Sequence, residues 1–433
     1  MHFVKVLAII LACISVAQAQ IPKDFVKIDG THFTLNGARY YFLGANYWYG
    51  MNLGSRKDPS TRARLLRELD KLQNLGITNL RILASTEGPE SEPWRIIPVL
   101  QPKPKVYDSQ ILEGLDFLLA ELKKRKMLAV VCLNNFWPWS GGMSQYLVWS
   151  GAAAIPYPPP QPGGSWSTYQ SYTQNFYSNP KAVTLANEFV KMLLNRMNSV
   201  NKIRYKEDST IMAWELANEP RGVRNTEAFN QWIESTSELI KSIDKNHLVT
   251  TGVEGETTWP SFNGMNFLKN HSYLNIDYTT IHIWAQNWSW YDPKNPQKTF
   301  PEAIEKMKNY FQEHVEKAKR LGKPLVVEEF GLARDGESYD PESTTFYRDQ
   351  YYKVVFEEVY QSALTASPVS GVNFWAWAGE GRPEKPYGGY WKKGSTFIGD
   401  PPHERQGWYS VYSKDQSTIE VIQNYIKKIS NVK

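Results

Sequence analysis

Cysteine is almost absent from this 433-residue chain, which has only Cys13 and Cys132. Cys13 lies in an N-terminal segment expected to be removed, so the mature chain has no internal disulfide and relies on its packed core. Cys132 sits inside the apolar run 129–133, a poor setting for a reactive thiol. The seven histidines show no metal-ligand spacing, so neither a metal nor another cofactor is indicated. Charge of one sign is also lacking: 49 basic against 44 acidic residues leave +5, with no basic block. Nucleic acid and membrane are therefore not expected as partners. Nor is there an apolar run long enough to span a bilayer, since the longest candidate covers only 6–12. That run follows Lys5 and precedes Ala17-Gln18-Ala19, a small-x-small cleavage pattern. Residues 1–19 read as a secretory signal, leaving a secreted, extracellular chain over 20–433.

Aromatic residues are plentiful, with 16 Trp and 25 Tyr, and hydrophobic residues make up 42% of the chain, enough for a large core. The rings suit either that core or a cleft for sugars, whose C–H faces lie flat on them. Apolar strand-like runs and helical patterns alternate along the whole sequence. Strands are expected at 40–45, 77–83, 127–133, 211–217, 248–253, 278–284, 325–330 and 371–378. Helices are expected at 61–75, 111–126, 182–200, 227–243, 301–321, 346–366 and 418–429, with a less regular link after the fifth strand. Eight such units point to an α/β fold, a single (β/α)8 TIM barrel whose long βα loops form a substrate cleft. The Pro/Gly-rich stretch 155–164 has linker composition. A boundary there would strand three β-strands on one side, so an ordered loop over the cleft is the better reading.

Catalytic groups of such barrels sit at the C-terminal ends of strands. The residues there are Arg81, Asn218, Glu219, His282, Trp284, Glu329 and Trp375. Pro220 stops the fourth strand just after Asn218 and Glu219. The seventh ends in Glu328, Glu329, Phe330 and Gly331, and alternation alone does not say which glutamate faces the mouth. Two carboxyl groups across one mouth can flank a glycosidic bond: about 5 Å apart they act by retention, and at roughly 6.5 Å or more by inversion. Strict alternation points Asn218 and Glu219 to opposite faces, so the backbone must leave regular strand there for both to serve one site.

Asn218-Glu219-Pro220 and Glu329-Phe330-Gly331 resemble the acid/base and nucleophile motifs of glycoside hydrolase family 5, along nearly the whole mature chain. Asn134-Asn135, Gly141-Gly142, Tyr205, Asp208 to Ile211 and Arg221 resemble its endo-β-1,4-mannanase branch. The resemblance implies Glu219 as general acid and then base, with a raised pKa, and Glu329 as nucleophile, kept ionised by Arg81. It implies Asn218 on the 2-hydroxyl, His282 placing Glu219 or binding sugar, and Trp375 rather than Trp377 as sugar platform. Arg221 is either a leaving-group contact or a structural ion pair. Trp284 departs from the pattern, since many relatives carry Tyr there, and an indole offers N–H but no hydroxyl. Leu83 stands where many fungal relatives have Trp. Trp137, Trp139, Trp288 and Trp290 are expected near the mouth, some of them lining sugar subsites. The implied activity is a secreted, monomeric, retaining endo-β-1,4-mannanase acting on β-mannan, glucomannan or galactomannan. The alternatives are an endo-β-1,4-glucanase and a non-catalytic polysaccharide-binding protein. Asn270-His271-Ser272 and Asn287-Trp288-Ser289 are glycosylation sequons.

Overall fold

The computed structural model describes residues 25–432 other than Thr258, so the signal segment expected at 1–19 lies outside the described residues. Eight parallel strands form the central sheet: β1 (Phe42–Asn46), β2 (Asn79–Leu83), β3 (Leu128–Cys132), β4 (Ile211–Glu215), β5 (Leu248–Thr250), β6 (Thr279–Ile283), β7 (Leu325–Phe330) and β8 (Val369–Phe374). Their order is β5-β4-β3-β2-β1-β8-β7-β6. The seam between β5 and β6 is bridged by the Asp277 N–H on the Val249 carbonyl (2.8 Å) and the His282 N–H on the Glu254 carbonyl (3.0 Å). Every residue of these eight strands is buried, as expected for parallel strands covered on both faces. The α/β barrel expected from the sequence is the fold observed.

Helices α1 (Pro59–Leu75), α2 (Ser109–Lys124), α3 (Pro180–Leu194), α4 (Thr226–Ile243), the short α5 (Phe267–His271), α6 (Pro296–Leu321), α7 (Phe346–Leu364) and α8 (Gln416–Ser430) follow the strands in turn. Asp58, Asp108 and Asn179 cap α1, α2 and α3 by accepting backbone N–H bonds. Two boundaries differ instructively from the sequence reading. Helix α3 ends at Leu194, six residues before the expected limit, because Arg196 leaves to pair with Asp116 of α2 at 2.6 Å. Helix α6 begins a turn earlier than expected, with Pro296 at its first position and Pro301 accommodated inside it.

The expected eighth strand also divides. β8 ends at Phe374, and Trp377–Gly379 then pairs with Val411–Tyr412 in a separate two-stranded sheet. A hairpin of Lys27–Asp29 and His32–Leu35 closes the N-terminal end of the barrel. Its Phe33 packs with Phe42, Leu128, Met212, Leu248 and Tyr278, residues at or next to the strand starts. The other end is therefore the open one. There the long β3–α3 connection carries two short helices, Gly142–Trp149 and Trp166–Thr173. Among the described residues, no helix is long and apolar enough to cross a membrane.

Candidate active site

Strand β4 ends at Glu215, and the chain beyond it is steered by its neighbours. The Asn218 N–H bonds the Asn134 carbonyl at 2.9 Å, and the Glu219 N–H bonds the Gly252 carbonyl at 3.0 Å. Glu219 adopts φ +49°, a left-handed conformation uncommon for a side chain of its type. That turn is the departure from regular strand which the sequence required, and it brings Asn218 and Glu219 to the same cleft. Across the mouth, β7 bulges: Val327 pairs with Ile281, Glu329 with His282, and Glu328 has no opposite number. Glu329 faces the cleft. Glu328 lies beneath it, with the Tyr278 hydroxyl 3.4 Å away and His282 Nε2 at 3.8 Å. Glu219 and Glu329 each present a carboxylate oxygen, and His282 a ring nitrogen, with all three atoms within 4.8 Å of one another.

Arg81, the middle residue of β2, organises this floor. Its guanidinium donates to Glu215 at 2.7 and 2.6 Å, to Asn46 at 3.0 Å, to Asn218 at 2.8 Å, and to Glu329. His282 Nδ1 bonds Glu219 at 2.7 Å and lies 3.3 Å from Glu329. The second oxygen of Glu219 accepts the indole N–H of Trp137 at 2.5 Å.

These contacts fix the proton affinities. His282 loses affinity by burial but gains more from Glu329, Glu219 and Glu328, which raise its pKa to about 10, so it is cationic at neutral pH. Burial raises Glu219, yet the hydrogen bond and charge of His282, the charge of Arg221 and the Trp137 N–H outweigh it and bring it down to about 2. Burial lifts Glu329 to about 7 against the opposing charges of His282 and Arg81. These directions reverse the sequence expectation for the resting site. The reason is burial, which for Glu329 outweighs the charges of His282 and Arg81, whereas for Glu219 the hydrogen bond and charge of His282 together with Arg221 overcome it. Arg81 also pairs with Glu215, a partner invisible until the barrel forms.

The cleft above measures about 930 Å³. Of the tryptophans singled out from the sequence, Trp137, Trp139, Trp284, Trp288 and Trp375 line it, together with Pro159 and Pro160 from the proline-rich loop. Trp290 instead packs on Trp288 and Tyr310 outside the lining, and Trp377 is fully buried in the core. Trp284 and Trp375 meet edge to face at 6.0 Å. Arg221 reaches the cleft but is held by Glu254 at 2.6 and 2.9 Å, so an ion pair accounts for its fixed position.

Sequence reading missed Glu215, Glu254, His403, Glu404 and Trp408. A charge in the middle of the apolar run around Glu215 was the one usable signal. The loop residues 403–408 carry no pattern that announces them. Buried polar atoms without a hydrogen-bonding partner among the described residues cluster here: Trp375 Nε1, Trp408 Nε1, His403 Nδ1 and a Glu404 oxygen. Such a set suits a polyhydroxylated ligand. Glu219, His282 and Glu329 are also the group among the described residues spaced to hold a metal ion, but Arg81 and the His282 cation already place positive charge against both carboxylates. Of the two sequons, Asn270 is buried and bonded to Asn230, while Asn287 is exposed at the cleft rim.

A family model described as GH family 5 beta-mannosidase-like matches residues 23–433. Mannan endo-1,4-beta-mannosidase 4 of Solanum lycopersicum is 32% identical over 83% of this chain and 84% of its own length. A putative mannan endo-1,4-beta-mannosidase 4 of Arabidopsis thaliana is 31% identical over 99% and 97%. The solved glycoside hydrolase family 5 mannosidase from Rhizomucor miehei superposes with a TM-score of 0.86 at 39% identity, covering 95% of this chain and 98% of that one. The chain thus belongs to glycoside hydrolase family 5, in its mannosidase-like group, and is a glycosidase.

Proposed function

We propose that this chain is an exported, retaining endo-β-1,4-mannanase, with Glu329 as nucleophile and Glu219 as acid and then base. One observation carries the mechanism: the two carboxylates reach within 4.8 Å of each other at one cleft, too close to admit the water an inverting enzyme places between them. Glu329 attacks the anomeric carbon as the bond to the leaving oxygen breaks, and Glu219 gives that oxygen a proton. The proton is already at hand on the 2.7 Å hydrogen bond from His282 Nδ1. Its transfer leaves His282 neutral and Glu219 protonated, with no change in the total proton count of the three coupled groups. Glycosylation then removes the charge of Glu329. Water attacks the glycosyl ester as Glu219 takes its proton, and Glu329 leaves as a carboxylate.

Mannan as substrate is supported by the names of the plant relatives rather than by any single contact. Release of reducing ends from mannan, and not from carboxymethylcellulose, is the expected result; the reverse would select the glucanase reading. Loss of turnover with retained binding in Glu329→Ala would separate catalysis from mere polysaccharide binding. One observation favours a second reading, a β-mannosidase acting at chain ends. The 403–408 loop lines the cleft with the unpartnered Glu404 oxygen and His403 nitrogen, groups able to take the extra 4-hydroxyl of a terminal sugar. Products from mannohexaose decide between the two. Mixed short oligosaccharides mean internal cleavage, and mannose with mannopentaose means cleavage at the end.

A further inference from the structure

The two N–H donors on Glu219, His282 at one oxygen and Trp137 at the other, are both anchored at one residue, Glu254, in the segment after β5. Its carbonyl oxygen accepts the backbone N–H of His282 at 3.0 Å and the Tyr310 hydroxyl of α6. Its carboxylate grips Arg221 with two bonds, and the guanidinium lies over the Trp137 ring, 4.9 Å from the centroid. Glu254 is only 2% exposed and lines the cleft wall. A buried ion pair is a weak source of stability, because desolvation cancels most of its attraction. Its placement against the indole that donates to Glu219 gives it a different use.

We propose that Glu254 is a positioning residue for the acid/base: it holds Arg221 against Trp137 and compensates the guanidinium charge, and so sets how readily Glu219 holds its proton. The inference rests on the role of Glu219 proposed above. The titratable and charged groups facing Glu219 are His282, Arg221 and Glu254 on one side, Glu329 across the mouth, and His403 and Glu404, both held neutral by burial, from the last loop. Those facing Glu254 are Arg221, Glu219, His282 and, from α6, the Tyr310 hydroxyl. Neutralising Glu254 leaves the Arg221 charge uncompensated beside Glu219, which favours the carboxylate and weakens its hold on a proton. Removing the Trp137 N–H does the opposite.

The test compares the pH dependence of kcat/KM for Glu254→Gln and Trp137→Phe on two aryl β-mannosides. One has a poor leaving group that needs the proton, and the other, a dinitrophenolate, does not. Glu254→Gln is expected to move the alkaline limb to lower pH and Trp137→Phe to move it to higher pH. For Glu254→Gln the loss on the poor leaving group should be about tenfold, one pKa unit's worth of free energy, and smaller on the activated one. An unmoved limb with a raised KM would make Glu254 a substrate contact. Equal losses on both leaving groups would make it structural, and either result overturns the proposal. Rescue of Glu219→Ala by azide, giving a β-mannosyl azide, tests the underlying assignment separately; failure of that rescue removes both claims.

Discussion

Arg81 shows how one side chain can serve two purposes. It neutralises Glu215 deep in the barrel while orienting Glu329 and Asn218 at the surface of the floor. Arg81→Met would leave Glu215 buried and unpaired, at a cost of about 3–5 kcal/mol. Urea unfolding should show that loss together with a collapse of turnover. Glu329 makes a second prediction at this scale. It must be ionised to attack, and burial raises its pKa to about 7. Activity should therefore fall as pH drops through a limb well above the ordinary glutamate value of about 4.3. The acid limb of kcat/KM reads this directly, and a limb at the ordinary value would show that Arg81 and His282 dominate instead. Glu219 and Glu329 were legible because Pro220 and Gly331 mark where their strands stop. Glu215 and Glu254 were not, since a carboxylate within or just after an apolar run has no visible partner until distant strands are neighbours.

At the scale of elements, the site depends on two irregularities: the left-handed turn at Glu219 and the bulge at Glu328. The turn is braced by Gly252, whose carbonyl accepts the Glu219 N–H. Gly252 itself has φ +77°, and a Cβ there would lie 2.0 Å from the Ala217 carbonyl oxygen. Gly252→Ala should cost at least about 1–3 kcal/mol in unfolding experiments, from the backbone strain alone. It should also displace Glu219 and lower kcat more than it raises KM. Apolar periodicity revealed the βα alternation because most helices and strands repeat their pattern over enough residues to register; the fifth unit did not, since its strand spans 3 residues and its helix α5 only 5. The ends of elements were harder. Helix α3 stops where Arg196 finds Asp116, and β8 yields to a second sheet at Trp377, both decided by partners far away in sequence. The need for a break near Asn218 was readable from alternation; the form it took was not.

The described residues form a nearly closed barrel with its N-terminal end plugged by a hairpin and its C-terminal end walled by long loops. Those loops place large apolar rings in solvent: Trp259 is 52% and Phe262 50% exposed, and both line the cleft. Little of the fold rests on them, so Trp259→Ala should leave the melting temperature almost unchanged. Its expected effect is a KM for polymeric mannan raised several-fold, about 1 kcal/mol of lost ring contact. Steady-state kinetics on mannan against an aryl mannoside would separate that loss from damage to the floor. The central claim is that Glu219 and Glu329 act on a single bond at retaining distance. Proton NMR of the first-formed product, recorded before mutarotation, tests it most directly. A β-configured reducing end is predicted, and an α-configured one would contradict the account.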